Sequence, residues 1–455
     1  MRSALSITVT LLLFVTLAAC NDDGDGGSGN AFTATTSSFD FTELEGASSE
    51  SCAPCHQRIY DEWKSSSMGT DLENSRVYEF YTGTNGAGEV DGLGFQGLKP
   101  GEAGDCADCH VPVTALKDAV NGEETDLGVV LDAGQDHGIS CIYCHSIKAM
   151  HEAKDQDGRY HTRIADTTAL GPENLRYGPL ADAESPAHDT AASDLYRQSE
   201  LCAGCHLNQE KFLSISTYDD WKEAFDAGLV TETCQECHMP LIDEPVEVGL
   251  GGPLRSGMRK HTFVGVHDPE TLAKALDLSV TTETQADGTV VVRTTVKNVG
   301  AGHRVPGSSP ISNVILKVDA VDQDGQPLTF TGDETALLPP LAGVGNPATG
   351  EKDARDWAGM PGKMYAKVYQ SAFIEKLGRK MVGVGGFAAD TILFDTTLKP
   401  QASDTMTFAF DGSSAATVTV TARLVFRTVF KPLADAKGWT LVDRPMRTVE
   451  AEVTP

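Results

Sequence analysis

Five copies of one five-residue pattern constrain this chain more than anything else in it: Cys52-Ala-Pro-Cys55-His56, Cys106-Ala-Asp-Cys109-His110, Cys141-Ile-Tyr-Cys144-His145, Cys202-Ala-Gly-Cys205-His206 and Cys234-Gln-Glu-Cys237-His238. Two cysteines three apart can add across the two vinyl groups of one porphyrin. The histidine directly after the second thiol is then held beneath the iron as its proximal ligand. At this chain's own cysteine and histidine frequencies, shuffled order would yield roughly a hundredth of one match. Zinc ribbons use such pairs two at a time, and five pairs leave one over. Disulfide frameworks and thioredoxin-like pairs have no reason to put histidine after every second cysteine. The blocks therefore predict five covalent c-type haems.

The eleventh cysteine, Cys20, has a separate explanation. Met-Arg leads into a largely apolar stretch from Ala4 to Ala19 that ends Leu17-Ala18-Ala19-Cys20, the form of a bacterial lipoprotein signal. The stretch is short for a membrane span and carries Ser6, Thr8, Thr10 and Thr16. Residues 1–20 are thus expected to be a signal peptide, with Cys20 lipidated and several acyl chains giving a stable anchor. Export also suits the chemistry, because c-type haem is attached outside the cytosol. Asn21 after the cysteine resembles lipoprotein sorting to the outer membrane, so a periplasmic or cell-surface lipoprotein is expected, touching the membrane through its lipid only. A formal charge of −29 makes nucleic acid a poor partner. Redox partner proteins or an extracellular acceptor with positive charge would be attracted, although the same acidity can serve solubility alone.

With 455 residues the chain has room for two domains besides processing segments. Residues 21–48, rich in Gly, Asp, Ser and Thr, read as a flexible linker. Residues 49–270 hold the five blocks among Gly, Ala, Asp and charged residues, with few apolar periodic runs. Such a stretch would bury too little hydrocarbon to fold well alone, so the porphyrins are expected to be its core, wrapped by short helices and loops. Residues 58–64 are helical in pattern with Ile59, Tyr60 and Trp63 on one side, aromatics suited to packing on haem. Spacing between blocks is irregular, which excludes a solenoid. Residues 271–455 change texture: a β-branched run over 289–296 follows Asp287-Gly288, another over 314–318 precedes Asp324-Gly325, and residues 418–426 alternate. These predict an all-β sandwich domain of about seven to nine strands. Within it, residues 337–379 read as a long insertion with a helical piece over 364–377.

Further residues carry a resemblance: His56-x-x-Ile59-Tyr60-x-x-Trp63-x-x-Ser66, Gly138-Ile139-Ser140 before Cys141, Tyr177-Gly178-Pro179 leading to His188, His238-Met239-Pro240, His261-x-Phe263-x-Gly265, and Asn298-x-Gly300-Ala301-Gly302-His303-x-x-Pro306. On these the chain resembles the multihaem cytochrome c superfamily that includes the tetrahaem cytochrome of ammonia oxidation, pentahaem nitrite reductase and hydroxylamine oxidoreductase. It is most similar to the tetrahaem branch with an added β domain. The family pattern after the first block commonly runs Trp-x-x-Ser-x-His, whereas here Met68 holds the final position. Met68 is then either a sulfur ligand, giving one haem a higher potential than its neighbours, or a side chain packed on porphyrin.

What fills the second axial side of each iron decides the function, since two strong ligands make an electron carrier and an open position admits substrate. Seven histidines lie outside the blocks. The resemblance points to His137, His188 and His261 as distal ligands. His303 is either a fourth, reaching over from the β region, or part of a Gly-rich turn, and Met68 is the fifth candidate. His151, His161 and His267 are reserves. The expected function is electron carriage in respiratory or extracellular electron transfer. The alternative is a haem oxidoreductase acting on a small nitrogen or sulfur compound at one five-coordinate haem; against it, every block ends in His, where the resembled nitrite reductase uses a Lys-ended block. A third reading makes the β region a binding or assembly module.

Overall fold

A computed structural model describes residues 41, 48–134, 138–155, 158–210, 213–307, 309–343, 352–370 and 391–455. Each block forms or opens a short helix, because cysteines at i and i+3 share a helical face and the histidine follows at i+4. The helices used below are α1 (Ala53–Lys64), α2 (Ser75–Thr82), α3 (Cys106–His110), α4 (Pro112–Val120), α5 (Cys141–Ser146), α6 (Glu200–His206), α7 (Thr217–Asp226) and α8 (Cys234–His238). Their starts are set by ordinary caps. Ser140 accepts from the Tyr143 amide at the head of α5, and Thr233 with Glu236 closes a capping box on α8. Between them run loops and two-stranded ladders such as Ile147–Met150 against Thr168–Leu170.

One expectation about this half needs correction: it has an apolar core of its own besides the porphyrin sites. Tyr81, Phe95, Val111, Leu116, Leu127 and Ile142 belong to one buried cluster. The buried face of α4, with Val113, Ala115 and Leu116, is too short to stand out among the surrounding glycines and aspartates. Farther along, around blocks four and five, the clustered buried apolar residues are only Ala203, Leu207, Tyr218 and Trp221 among those described.

Helical structure gives way to strands after α9 (Pro269–Ala275), which Asp268 caps and Pro269 opens. The strands are β1 (Leu276–Thr284), β2 (Thr289–Asn298), β3 (Asn313–Asp322), β4 (Gly362–Tyr365), β5 (Lys367–Gln370), β6 (Thr391–Asp395), β7 (Ser403–Asp411), β8 (Val418–Arg427) and β9 (Asp443–Val453). One antiparallel sheet has the order β1-β2-β7, a second β4-β3-β8-β9, and β5 pairs with β6. The β1–β2 hairpin turns at Gly288, whose φ of 85° suits glycine. Val292 opposite Phe408 on the first sheet and Leu316 opposite Leu424 on the second face one shared core.

Strand β8 does not alternate between buried and exposed as its sequence suggests, since the second sheet is covered on both faces. Behind it, Ile315, Met364 and Val368 pack with Phe430 and Leu433 of the stretch leading through α10 (Lys431–Lys437), and with Leu93 from the block-bearing half. This also corrects the helix expected over 364–377. Residues 362–370 are β4 and β5, because Met364, Ala366 and Val368 alternate into that second core, and β4 pairs with β3; residues 371–377 lie outside the described ones. No helix among the described residues is long and apolar enough to cross a membrane.

The two halves are joined at polar contacts that would be costly to leave unpaired. The buried Lys437 ammonium donates to the carbonyls of Thr84 at 2.6 Å and Glu79 at 3.2 Å, and to Asp91 at 3.0 Å. The Trp439 indole donates to Glu79, and its ring lies 5.5 Å from Phe80 of α2. At a second contact Arg304 donates to Asp220 of α7 at 3.1 Å.

Candidate haem sites

None of the ten block cysteines is paired in a disulfide. They meet across blocks in a definite order. Block one touches block three: the Ser49 hydroxyl accepts from the Cys141 amide at 3.1 Å, and the Cys52 and Cys141 sulfurs lie beside each other. The fourth and fifth blocks repeat the device. Ser199 accepts from the Cys234 amide at 3.0 Å, and the Cys202 and Cys234 sulfurs lie beside each other. Cys109 and Cys205 also meet, joining block two to block four. Sequence reasoning missed Ser49 and Ser199. The signal was a repeated Ser-Glu-x-Cys ahead of the first and fourth blocks.

The block histidines are oriented as metal ligands would need to be. His56 Nδ1 donates to the Val248 carbonyl at 2.6 Å, His145 to Tyr177 at 2.7 Å and His238 to Val264 at 2.5 Å. A carbonyl can only accept, so the proton sits on Nδ1 and the Nε2 lone pair is left for iron. His110 instead donates to the carboxylate of Asp71 at 2.6 Å. Burial opposes a charge on His110, and Asp71 outweighs it, raising the histidine. Burial brings His206 down to about 4, with His238 and His303 adding to the effect, which keeps it in the neutral, ligating form. The Tyr177 carbonyl orients His145, while the Tyr196 ring lies 5.5 Å from it and the Tyr196 hydroxyl donates to the Cys144 carbonyl at 2.6 Å.

Two candidate distal histidines face block histidines. The rings of His145 and His261 have centres 6.3 Å apart with planes 29° from parallel; those of His238 and His303 are 6.4 Å apart and 13° from parallel. Stacked rings in contact would be much closer. Two imidazoles holding one metal ion, each with a metal–nitrogen bond of about 2 Å and a ring radius of about 1.2 Å, would have centres about 6.4 Å apart, and both pairs have that separation.

The loops that carry these two histidines explain their motifs. His261 is fixed through its own amide, which donates to Glu62 of α1 at 2.8 Å, and Phe263 follows with a left-handed φ of 43°. One residue later, the Val264 carbonyl accepts from His238, so a single loop serves blocks three and five. Burial brings His261 down to about 4, with repulsion from His145 adding to it and the Arg259 backbone opposing it. The His303 loop hangs on the fully buried Asn298, whose amide donates to the carbonyls of His303 at 2.9 Å and Leu398 at 3.1 Å, while its oxygen accepts from Ala301. A Cβ at Gly300 would run into the Lys274 carbonyl, and one at Gly302 would press on Trp221 of α7. Burial also lowers His303, so it too is neutral.

The other candidates are placed differently. His188 donates from Nδ1 to the Asp189 carbonyl at 3.0 Å, near enough to His145 to lower it slightly beside the larger effect of burial. His267 accepts from Arg444 of β9 at 3.0 Å, and His161 Nδ1 accepts from the Arg163 amide at 3.3 Å, arrangements that occupy a ring nitrogen of each. The His151 amide donates to Thr167. Met68 lies half-buried in the turn after α1. His137 and the lipidation candidate Cys20 lie outside the described residues. A zinc reading of the blocks would need clusters of ligating side chains, and among the described residues no three His, Cys, Asp or Glu come together to hold a bare ion.

Residues 51–146, spanning the first three blocks, match the family model described as cytochrome c554 and c-prime. The structure is similar to the crystal structure of a penta-heme cytochrome c552 from Thermochromatium tepidum, with a TM-score of 0.62 and 20% identity, over 90% of this chain and all of that one. The chain has the fold of a multihaem cytochrome c. No curated protein matches it. In this multihaem cytochrome c fold, helices and loops carry the blocks and a strand-rich region follows, with several sheets.

Proposed function

We propose that this chain is an exported, lipid-anchored c-type cytochrome that carries electrons through five covalently held haems. The observation that carries the reading is the pair of imidazole couples, His145 with His261 and His238 with His303, each at the spacing of two ligands on one iron. Haem c, when bound, supplies a reversible one-electron change at its iron. The chain's own residues do the rest. Ten block cysteines fix the porphyrins by thioether bonds, and His56, His110, His145, His206 and His238 take the proximal side. His261 and His303 close two distal sides against substrate; His137, His188 and Met68 are assigned to the remaining three.

The order in which block thiols meet suggests a route joining blocks one and three at one end and two, four and five at the other. Tyr143, fully buried near Cys205, Cys144 and Cys109, stands where those two groups approach. The two larger sheets, with their inner faces on one core, support a β-sandwich, and its first task in this reading is to hold His303 against His238. Residues 1–20 and Cys20 supply export and the outer-membrane anchor, and the acidic surface favours a cationic redox protein or an extracellular acceptor.

Mass spectrometry of the mature protein should give five haems and a lipidated N-terminus. After reduction, the unaltered protein should bind no carbon monoxide, and His303→Ala should bind it at one haem in five. Rapid binding by the unaltered protein would favour the oxidoreductase alternative instead. Met68→Ala tests the sulfur ligand, by loss of the methionine-to-ferric-iron charge-transfer band.

A further inference from the structure

Among the block histidines whose Nδ1 partner is described, three donate to neutral backbone carbonyls and one, His110, to a carboxylate. The difference is built in. Asp71 sits in a tight turn after α1, where the buried Ser66 hydroxyl donates to the Trp63 carbonyl and accepts from the Gly69 amide. Gly69 lies so close to the Trp63 carbonyl that no side chain fits, and Asn74 closes the turn by donating to the Asp71 carbonyl at 3.1 Å. The Asp71 side chain is only 14% exposed, and among the described residues His110 is its one ionic partner, so its charge is not shared with a lysine or arginine.

A carboxylate accepting from Nδ1–H makes an imidazole a stronger electron donor to its metal than a carbonyl does. A stronger donor, with a negative charge close behind it, stabilises ferric over ferrous iron. We propose that Asp71 is a positioning residue that gives the haem at Cys106 and Cys109 the lowest reduction potential of the five. The inference rests on the five-haem reading above. It also gives direction to the order of contacts: block two, which meets block four through Cys109 and Cys205, is the last site to be reduced.

Potentiometric titration of the intact holoprotein tests this with Asp71→Asn, which keeps an acceptor oxygen and removes the charge. The most negative of the five transitions should rise so that, at a fixed potential, the ferric-to-ferrous ratio at that haem falls at least tenfold, about 59 mV for one electron. The other four should stay in place. Glu73→Gln, a nearby exposed acid, controls for loss of surface charge and should move none. A lowest transition that does not move in Asp71→Asn, or a shift spread over all five, overturns the proposal. If Asp71→Asn loses haem, near-infrared magnetic circular dichroism of the unaltered ferric protein decides: one haem in five should show the higher-energy charge-transfer band of an imidazolate-like ligand, and five coincident bands would reject it. A mass showing fewer than five haems would fault the five-haem reading instead, and is measured separately.

Discussion

The strand-rich half and the block-bearing half solve the problem of a core in different ways. Behind β2 and β8, valines, leucines and phenylalanines of two sheets meet each other directly. Around blocks four and five, only a small cluster at Tyr218 and Trp221 is assembled from side chains among the described residues, while the Val264 carbonyl aims at His238, as the Tyr177 carbonyl does at His145 of block three. A sequence that folds round a prosthetic group uses its main chain to orient ligands and leaves hydrocarbon contacts to the porphyrin. In the proposed reading the strand-rich half acts as a clamp, with His303 set against His238 as its contribution.

The sharpest test of that contrast is to make the chain where no haem is attached. Protease should then remove the stretch around blocks four and five, about residues 200–268, and leave a fragment from about residue 271 onward with a strand-type circular dichroism spectrum. Equal protection of both parts would break the comparison. Within the strand-rich half, Phe408→Ala opens a cavity opposite Val292 and should cost about 3 to 5 kcal/mol in its unfolding, with the haem spectrum unchanged until that transition.

How much of this was legible from sequence differs between the halves for the same reason. The blocks could be read because covalent chemistry fixes their spacing, and β2 and β3 because Asp287-Gly288 and Asp324-Gly325 mark turns beside β-branched runs. Asn298, Gly300 and Gly302 stood out around His303, and their close fits to the Lys274 carbonyl and Trp221 give the reason. Contacts between distant residues left no such mark. Ser49 meets Cys141 across 92 positions and Asp71 meets His110 across 39, and neither partner's type announces the other. The strands at 362–370 were misread because a short apolar run has no decisive period, and pairing with β3 settled it.

The contact between the halves should show intermediate effects. Lys437→Met leaves Asp91 and two carbonyls without their ammonium, and should cost about 3 kcal/mol. Because the loss falls on the joint, denaturation followed by haem absorbance and by strand circular dichroism should separate into two transitions. Coincident transitions of unchanged midpoint would mean the halves do not depend on this lysine.

The second contact predicts the smallest change and a pH dependence. Burial raises Asp220 to about 6, and the Arg304 guanidinium only partly opposes it. A carboxyl whose folded value lies above its unfolded one binds more protons when folded, so its contribution is fully present below about pH 4 and is lost as pH rises through about 6. The loss should be on the order of 2 kcal/mol, reduced by the partial exposure of the pair. Asp220→Asn should therefore flatten the stability profile between pH 4 and 7, by holding the side chain in its neutral form throughout, while the variant and the unaltered protein converge at pH 4. A slope of the same size in the variant would place the titrating group elsewhere. A larger slope would make Asp220 a partner that Arg304 needs charged, and the joint between α7 and the His303 loop would then be ionic rather than merely buried.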